Sequence, residues 1–257
     1  MSLARIALSL ALLGACGAQI ADGVSNSNHT GGDDAPVDSG TGSTPIDAAP
    51  VATCAQLSLF LNFDGQTLTH ALTSDATKNL ASWMQNNVGD TATAPPYHQG
   101  DGNRATLIQS IVDAVRGQLS TFPITVVTTR PTAGSYIMVV LGGDNTTIST
   151  QFRDAVDALD CGNVTKNDVA WISDGVTPAQ HVANLVAGAV GFGLGLTATT
   201  DQNDCMCGWA NNCNANTNTA CKLGSPINRD QGANQTCNNA GATQDEVATF
   251  HDAFCGK

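Results

Sequence analysis

The segment VANLVAGAVGFGLGLTAT, residues 182–199, decides how the rest of the chain is interpreted. Its apolar side chains recur at helical spacing, which predicts a buried helix. Thr177 is a suitable helix cap, and Pro178 suits the first helical position because its missing N–H is not needed there. Gly193 and Gly195 favour an end to the helix, since glycine loses the most backbone freedom when it is ordered.

Zinc proteases carry H-E-x-x-H on such a helix, where the two histidines bind the metal and the glutamate activates its water. The metzincins continue with x-x-G-x-x-H, in which the glycine turns the chain so that a third histidine reaches the zinc. Aligning that pattern on Gly195 places Gly188, Ala189, Phe192 and Ala198 at the His, Glu, His and His positions. None of these four side chains binds zinc or transfers a proton.

Two further features make the chain resemble the metzincins, and within them the secreted matrixin-like proteins of bacteria. The Asp-Cys-Met sequence that ends at Met206 resembles the D-I-M type Met turn beneath their zinc site. Three upstream segments resemble the family's first three strands: LFLNFDGQTL (59–68), FPITVVTTRP (122–131) and YIMVVLGGD (136–144). The resemblance extends from residue 57 to the C-terminus and implies a degenerate member, a pseudoprotease.

Composition limits the class of partner. The 257 residues include 22 acidic and 10 basic side chains, which gives a net charge of −12 and an isoelectric point near 4.4. Such a balance argues against nucleic acids and anionic membrane surfaces as partners. The length is ample for one hydrophobic core.

The N-terminus predicts export. Residues 1–15 carry one cation and a short apolar run, which is typical of a signal peptide. The sequence Leu-Gly-Ala-Cys that ends at Cys16 resembles the bacterial lipobox, which implies a lipid anchor on Cys16 and a location at the outer membrane or cell surface. The alternative is a secreted or periplasmic protein cut near Ala18. Residues 16–52 are polar and acidic, so we expect a flexible tether.

Strand and helix patterns alternate over residues 53–200, which predicts an α+β core with a mixed, twisted sheet packed on helices, as the metzincin resemblance also implies. A clear amphipathic helix is predicted at 104–119. Weaker patterns predict helices at 75–86 and 150–159. Residues 201–257 are rich in asparagine, glycine and cysteine and form the second predicted part, disulfide-rich and irregular.

Eight cysteines remain once Cys16 is set aside, and an even count in an exported chain predicts four disulfides. They are Cys54, Cys161, Cys205, Cys207, Cys213, Cys221, Cys237 and Cys255. Their spacing leaves the connectivity open. Zinc binding by this set is disfavoured because C-x-C is a poor match to the usual spacing of zinc ligands.

The last predicted helix begins with Thr243-x-x-Glu246, a capping-box pattern. Val247, Phe250 and Phe254 follow at spacings that predict its buried face.

Three functions fit the sequence. The first is an exported lipoprotein whose metallopeptidase-like domain is non-catalytic, binds no cofactor and holds a peptide or protein in the former cleft. The second is an active zinc metalloendopeptidase that uses substitute ligands such as His181, His251 or Asp201. The third is an unrelated structural or adhesive surface domain, in which residues 188–196 are a close-packed buried helix.

Overall fold

A computed structural model describes residues 54–209, 213–238 and 240–255. Within these ranges the chain forms ten β-strands and three α-helices: β1 (Leu57–Asn62), β2 (Gln66–His70), β3 (Leu80–Ala81), β4 (Thr91–Ala94), α1 (Arg104–Leu119), β5 (Ile124–Val127), β6 (Tyr136–Leu141), β7 (Ala155–Val156), β8 (Val169–Ile172), α2 (Ala179–Gly193), β9 (Ile227–Asn228), β10 (Thr243–Gln244) and α3 (Glu246–Cys255). The predicted signal peptide at 1–15, the lipidation site Cys16 and the tether at 16–52 lie outside the described residues.

A five-stranded sheet organises the fold, with the strand order β5-β1-β6-β8-β7. The first four strands run parallel, and β7 pairs antiparallel with β8 at the edge. All six residues of the central strand β6 are buried, because both faces of the sheet are covered. The predicted α+β fold with a mixed sheet and helices is thereby confirmed at this level.

The alternation of side chains along each strand divides the core between the two faces of the sheet. Leu59, Leu61 and Val139 point to one face and pack in the same cluster as the buried residues of α1 and α2. Phe60 and Trp171 point to the other face. A small sheet of order β3-β2-β4 contributes to the cluster on that second face.

The two long helices follow the expected patterns. In α1 the buried residues Ile111, Val112, Val115 and Leu119 form one stripe, which confirms the predicted helix. The helix α2 is buried along its whole length from residue 182 to 193, because it lies between α1, the sheet and a 3₁₀ turn at Cys207–Trp209.

The observed ends of α2 match those predicted from the sequence only in part. The helix begins at Ala179, one residue later than predicted, and Thr177 makes no capping hydrogen bond. It ends at Gly193, as expected. Gly195 has a φ of +88°, and the N–H of Leu196 then bonds the carbonyl of Gly191. Gly195 therefore supplies the left-handed turn that an L-residue adopts only with strain.

Two predicted helices are wrong. Residues 75–86 form a 3₁₀ turn at Ala76–Lys78 and the strand β3, because the Asp75 carboxylate accepts the Thr77 N–H and closes a turn. Residues 150–159 contain β7, where Val156 pairs with Trp171. The apolar residues of this segment also fit a strand, and pairing with β8 decides between the two.

All eight predicted cysteines form disulfides. The pairs are Cys54–Cys255, Cys161–Cys237, Cys205–Cys221 and Cys207–Cys213. Four disulfides are consistent with an oxidising, extracytoplasmic compartment. In the part of the chain that the structure describes, no helix combines the length and apolar character that crossing a bilayer requires.

The start of α3 differs from the prediction. The side chain of Asp245 caps the helix by accepting the Ala248 N–H, whereas Glu246 is fully buried. Val247 is 41% exposed and does not belong to the buried face. Phe250 and Phe254 are buried as predicted, and Phe250 packs on Phe122 with ring centroids 4.8 Å apart.

Candidate functional site

A groove beside α2 contains two of the four degenerate zinc-motif positions. Phe192 and Ala198 line a cavity of about 250 Å³ together with His181 and Leu185 from the same helix. The remaining walls come from residues 152–157, which include β7, and from 208–209 and 233–235. The groove is therefore bounded by the central helix on one side and by the edge of the main sheet on another.

The third position, Gly188, faces the indole of Trp209. An ideal Cβ built on Gly188 would lie 2.7 Å from the carbonyl oxygen of Cys205 and would collide with the indole ring. The same indole stacks on Phe192, with ring centroids 5.0 Å apart and an interplanar angle of 30°. Trp209 thus fills the space that a side chain at position 188 would need.

The fourth position, Ala189, is buried in the hydrophobic core and does not line the groove. Met206, the predicted Met-turn residue, is fully buried and packs on the helix at Gly191, where an added Cβ would lie 2.6 Å from the Met206 Sδ. The turn that contains Met206 therefore contacts α2 at Gly191, which is one residue before Phe192.

A zinc ion of the metzincin type does not fit these residues. Gly188, Ala189, Phe192 and Ala198 offer no nitrogen, oxygen or sulfur ligand in their side chains, and zinc sites need three or four such ligands. The stacked rings of Phe192 and Trp209 occupy the adjoining space.

The substitute ligands do not come together. His181 lies in the groove wall, whereas His251 is 65% exposed on α3 beside Asp252, and Asp201 is exposed. Across residues 54–209, 213–238 and 240–255, no three His, Cys, Asp or Glu side chains form a group that could hold a metal ion.

A pair of buried acids, Asp204 and Glu246, contacts the turn that contains Met206. The Asp204 Oδ1 accepts the Thr199 hydroxyl and the Met206 N–H, both at 2.8 Å. Glu246 forms a hydrogen bond with Asp204 and also accepts the Gly224 N–H. Burial, together with the nearby Asp204, raises the pKa of Glu246 to about 8, and burial also raises the pKa of Asp204. The pair therefore shares a proton at neutral pH.

The strand β7, whose two residues help to line the groove, is an edge strand of the main sheet. This strand pairs with β8 on one side and is the last strand in the sheet order, so no described strand covers its other side. An unpaired edge presents backbone N–H and C=O groups to a further strand.

Three features of this region of the structure do not follow from the sequence. The edge strand β7 was predicted as a helix, and Glu246 was predicted as part of a capping box. Trp209 carried no signal at all, because its role depends on the disulfide-linked turn that places it against Gly188. The glycine at 188 was the one available hint, since a buried helical glycine often marks close approach of another group.

No protein-family model matches this chain, and no curated protein sequence is similar enough to it to count as a match.

Proposed function

We propose that this chain is an exported, metzincin-like pseudoprotease that binds an extended peptide segment in the groove between β7 and α2. The single observation that carries the proposal is the place of Phe192 and Ala198. Both positions correspond to zinc-binding histidines in the family pattern, and both line a groove next to an unpaired strand edge.

Loss of catalysis follows from the chemistry of the replaced residues. Peptide hydrolysis by this class requires a metal to polarise the carbonyl and a carboxylate to activate water. Ala189 stands at the carboxylate position and has no titratable group. Retention of the scaffold without its chemistry favours a binding role, because the groove remains while its reactive groups are absent. The positions of His181, His251 and Asp201 give no support to the alternative of an active enzyme.

The groove suits recognition by strand addition. An extended peptide aligned with β7 gains main-chain hydrogen bonds from the strand edge, and its alternate side chains point into the groove. The stacked rings of Phe192 and Trp209, with Leu185, form an apolar wall. The volume of about 250 Å³ is below the usual size of a small-molecule pocket, so we expect it to accept one apolar or aromatic side chain.

A peptide-display screen against the purified full-length protein tests the binding role. We expect enrichment of extended sequences with one central aromatic or apolar residue. The variant Gly208→Trp places a large side chain in the groove, because Gly208 lines it and an added Cβ there meets only the flexible end of Leu185 at 3.0 Å. It should weaken the binding of a selected peptide at least about tenfold, which corresponds to 1.4 kcal/mol.

The matched control is Gly102→Trp, since an added Cβ at Gly102 meets nothing within 4 Å. This variant should bind the peptide as the wild type does. Equal binding by both variants would show that the peptide does not occupy the groove. Stoichiometric zinc in the purified protein, together with chelator-sensitive cleavage of casein, would overturn the non-catalytic part of the proposal.

Membrane attachment through Cys16 is a separate part of the proposal. When the full-length chain is expressed in a bacterial host, labelled palmitate should enter the wild type and not the Cys16→Ser variant. Equal labelling of the two proteins, or no labelling of either, would leave the secreted or periplasmic alternative.

A further inference from the structure

One charged side chain in the wall of the groove, Asp157, is buried. Arg153 and Asp154 line the same groove, but their side chains are 91% and 61% exposed, so water satisfies them. Asp157 is 2% exposed, and its Oδ1 accepts the Ala158 N–H at 2.7 Å. Its Oδ2 is buried without a hydrogen-bond partner. Buried polar atoms in folded proteins are almost always paired, so this oxygen calls for an explanation.

The position of Asp157 in the chain directs its side chain toward α2. Successive side chains of a strand point to opposite faces of the sheet. Ala155 packs against the cluster that contains α2, whereas Val156 belongs to the cluster on the other face. Asp157 follows directly and therefore shares the face of Ala155, where Leu185 and Phe192 of α2 also line the groove.

The groove supplies no partner of its own for this oxygen. Within the described part of the chain, one other polar atom of a groove-lining side chain is buried and unpaired, the Nε1 of Trp209. An added Cβ on Gly188 would collide with that nitrogen, so the indole N–H faces α2. A partner for the Asp157 carboxyl group is therefore expected from a bound molecule.

The protonation state of Asp157 limits the chemistry of that partner. Burial, with the nearby Asp168 as the next cause, raises the pKa of Asp157 well above its ordinary value. A protonated carboxyl group offers a donor, and an ionised one only accepts. An ammonium or guanidinium group only donates, so it fits the ionised state alone. A hydroxyl group donates and accepts, and it is the group that fits both states.

The other side chains of the groove indicate what carries this hydroxyl. The rings of Phe192 and Trp209 stack with centroids 5.0 Å apart, and Leu185 lines the groove with them. An aromatic ring packs favourably on such a surface, and a buried tyrosine usually places its hydroxyl on a hydrogen-bond partner. Serine and threonine have the hydroxyl but no ring to cover the aromatic wall. Tyrosine is the side chain that combines the two.

We infer that Asp157 selects tyrosine in the peptide that lies along β7. The tyrosine ring packs against Phe192 and Trp209, and its hydroxyl forms a hydrogen bond with the Asp157 carboxyl group. The carboxyl group turns about its terminal torsion to meet the hydroxyl, at little cost because that torsion is broad. It gives up almost no contact with water, since it is buried in the free protein. This inference rests on the peptide-binding proposal and adds the class of ligand to it.

Two peptide-display libraries test the inference, with a central tyrosine fixed in one and a central phenylalanine in the other. The full-length protein should enrich peptides from the tyrosine library. A selected peptide should bind at least about tenfold more tightly than its synthetic counterpart with phenylalanine, because the hydroxyl adds a hydrogen bond to a buried carboxyl group. A counterpart with a central lysine should bind no better than the phenylalanine peptide.

The outcomes separate this inference from the proposed function. Equal affinities for the tyrosine and phenylalanine peptides, or a preference for lysine, would overturn the selection of tyrosine while peptide binding stands. Enrichment from neither library would overturn both. These comparisons use the wild-type protein, so they decide the matter even where a variant fails to fold.

Variants of Asp157 separate a hydrogen bond to the ligand from a purely structural role. Asp157→Leu should weaken binding of the tyrosine peptide about tenfold and leave the phenylalanine peptide unchanged. Asp157→Asn should retain most of the preference, because an amide also donates and accepts. Asp154→Leu replaces an exposed acid of the same groove and, as the matched control, should retain the full preference. Equal weakening of both peptides by Asp157→Leu would overturn the assignment.

Discussion

The two parts of the described chain are stabilised by different means. Residues 57–199 form the main sheet and the helices α1 and α2, and they supply most of the buried apolar side chains. After residue 200 the core on the helix side gains only Cys205, Met206, Phe250 and Phe254 as buried members. The first part is stabilised by the burial of apolar side chains. The second part buries too few apolar side chains to be stabilised in this way.

The disulfides follow the same division. Every one of the four has at least one cysteine after residue 200, and none joins two cysteines within 57–199. Buried polar contacts add to them, such as the two hydrogen bonds from Thr197 to the Gln244 side chain. The groove has walls from both parts, since β7 and α2 face Trp209 and residues 233–235. Its shape therefore depends on the cross-links as much as on the core.

Removing single disulfides is expected to have the largest effect. Chain-entropy estimates give about 5 kcal/mol for Cys54–Cys255, which closes a loop of about 200 residues, and about 2 kcal/mol for Cys207–Cys213. Double alanine variants of each pair should lower the free energy of unfolding in urea in that order. Equal losses from the two pairs would contradict the idea that cross-linking of the unfolded chain is the main contribution.

The buried acid pair Asp204 and Glu246 predicts an unusual dependence of stability on pH. Glu246 keeps its proton in the folded state up to about pH 8, whereas its ordinary pKa is 4.5. Between these values the folded state binds more protons, so the free energy of unfolding falls as pH rises, by up to about 1.4 kcal/mol per pH unit. The stabilisation is complete below pH 4.5 and lost above pH 8. Asp168 contributes in the same direction up to about pH 7.

Urea unfolding at pH 5, 7 and 9 in the presence of EDTA measures this dependence. The protein should be most stable at pH 5, opposite to the trend of proteins stabilised by ionised carboxylates. Glu246→Gln should flatten the curve between pH 5 and 8, whereas the exposed control Asp113→Asn should leave it unchanged. A wild-type protein that gains stability from pH 5 to pH 9 would refute the shared proton.

The difference between the two parts also explains which strands, helices and cross-links can be predicted from the sequence. Strands β1, β5, β6 and β8, and the helix α1, follow from local patterns, because each side chain's burial repeats with the period of its element. The eight cysteines follow from their even number. Their pairing does not, since it depends on which distant segments meet.

The features that the sequence does not predict likewise depend on contacts between distant segments of the chain. The strand β7 has only two residues, which is too short for a sequence pattern. It is a strand because its residues pair with β8. Glu246 has the sequence context of a cap, and its burial against Asp204 depends on the folding of residues 201–245. The sequence shows the resemblance of residues 188–198 to a zinc motif, whereas it gives no sign of the indole that packs against Gly188.

The smallest expected effect tests the contact between the two parts at one point. Gly188→Ala adds a Cβ that would lie 2.7 Å from the Cys205 carbonyl oxygen and against the Trp209 indole. Overpacking of this kind costs about 1–3 kcal/mol, which should appear as a lower free energy of unfolding in urea. Gly117→Ala is the matched control on α1, because an added Cβ there meets nothing within 4 Å; it should stabilise the protein by up to about 1 kcal/mol through better helix propensity. If Gly188→Ala is also stabilising, the indole does not press on the helix, and there is room for a side chain at position 188 after all.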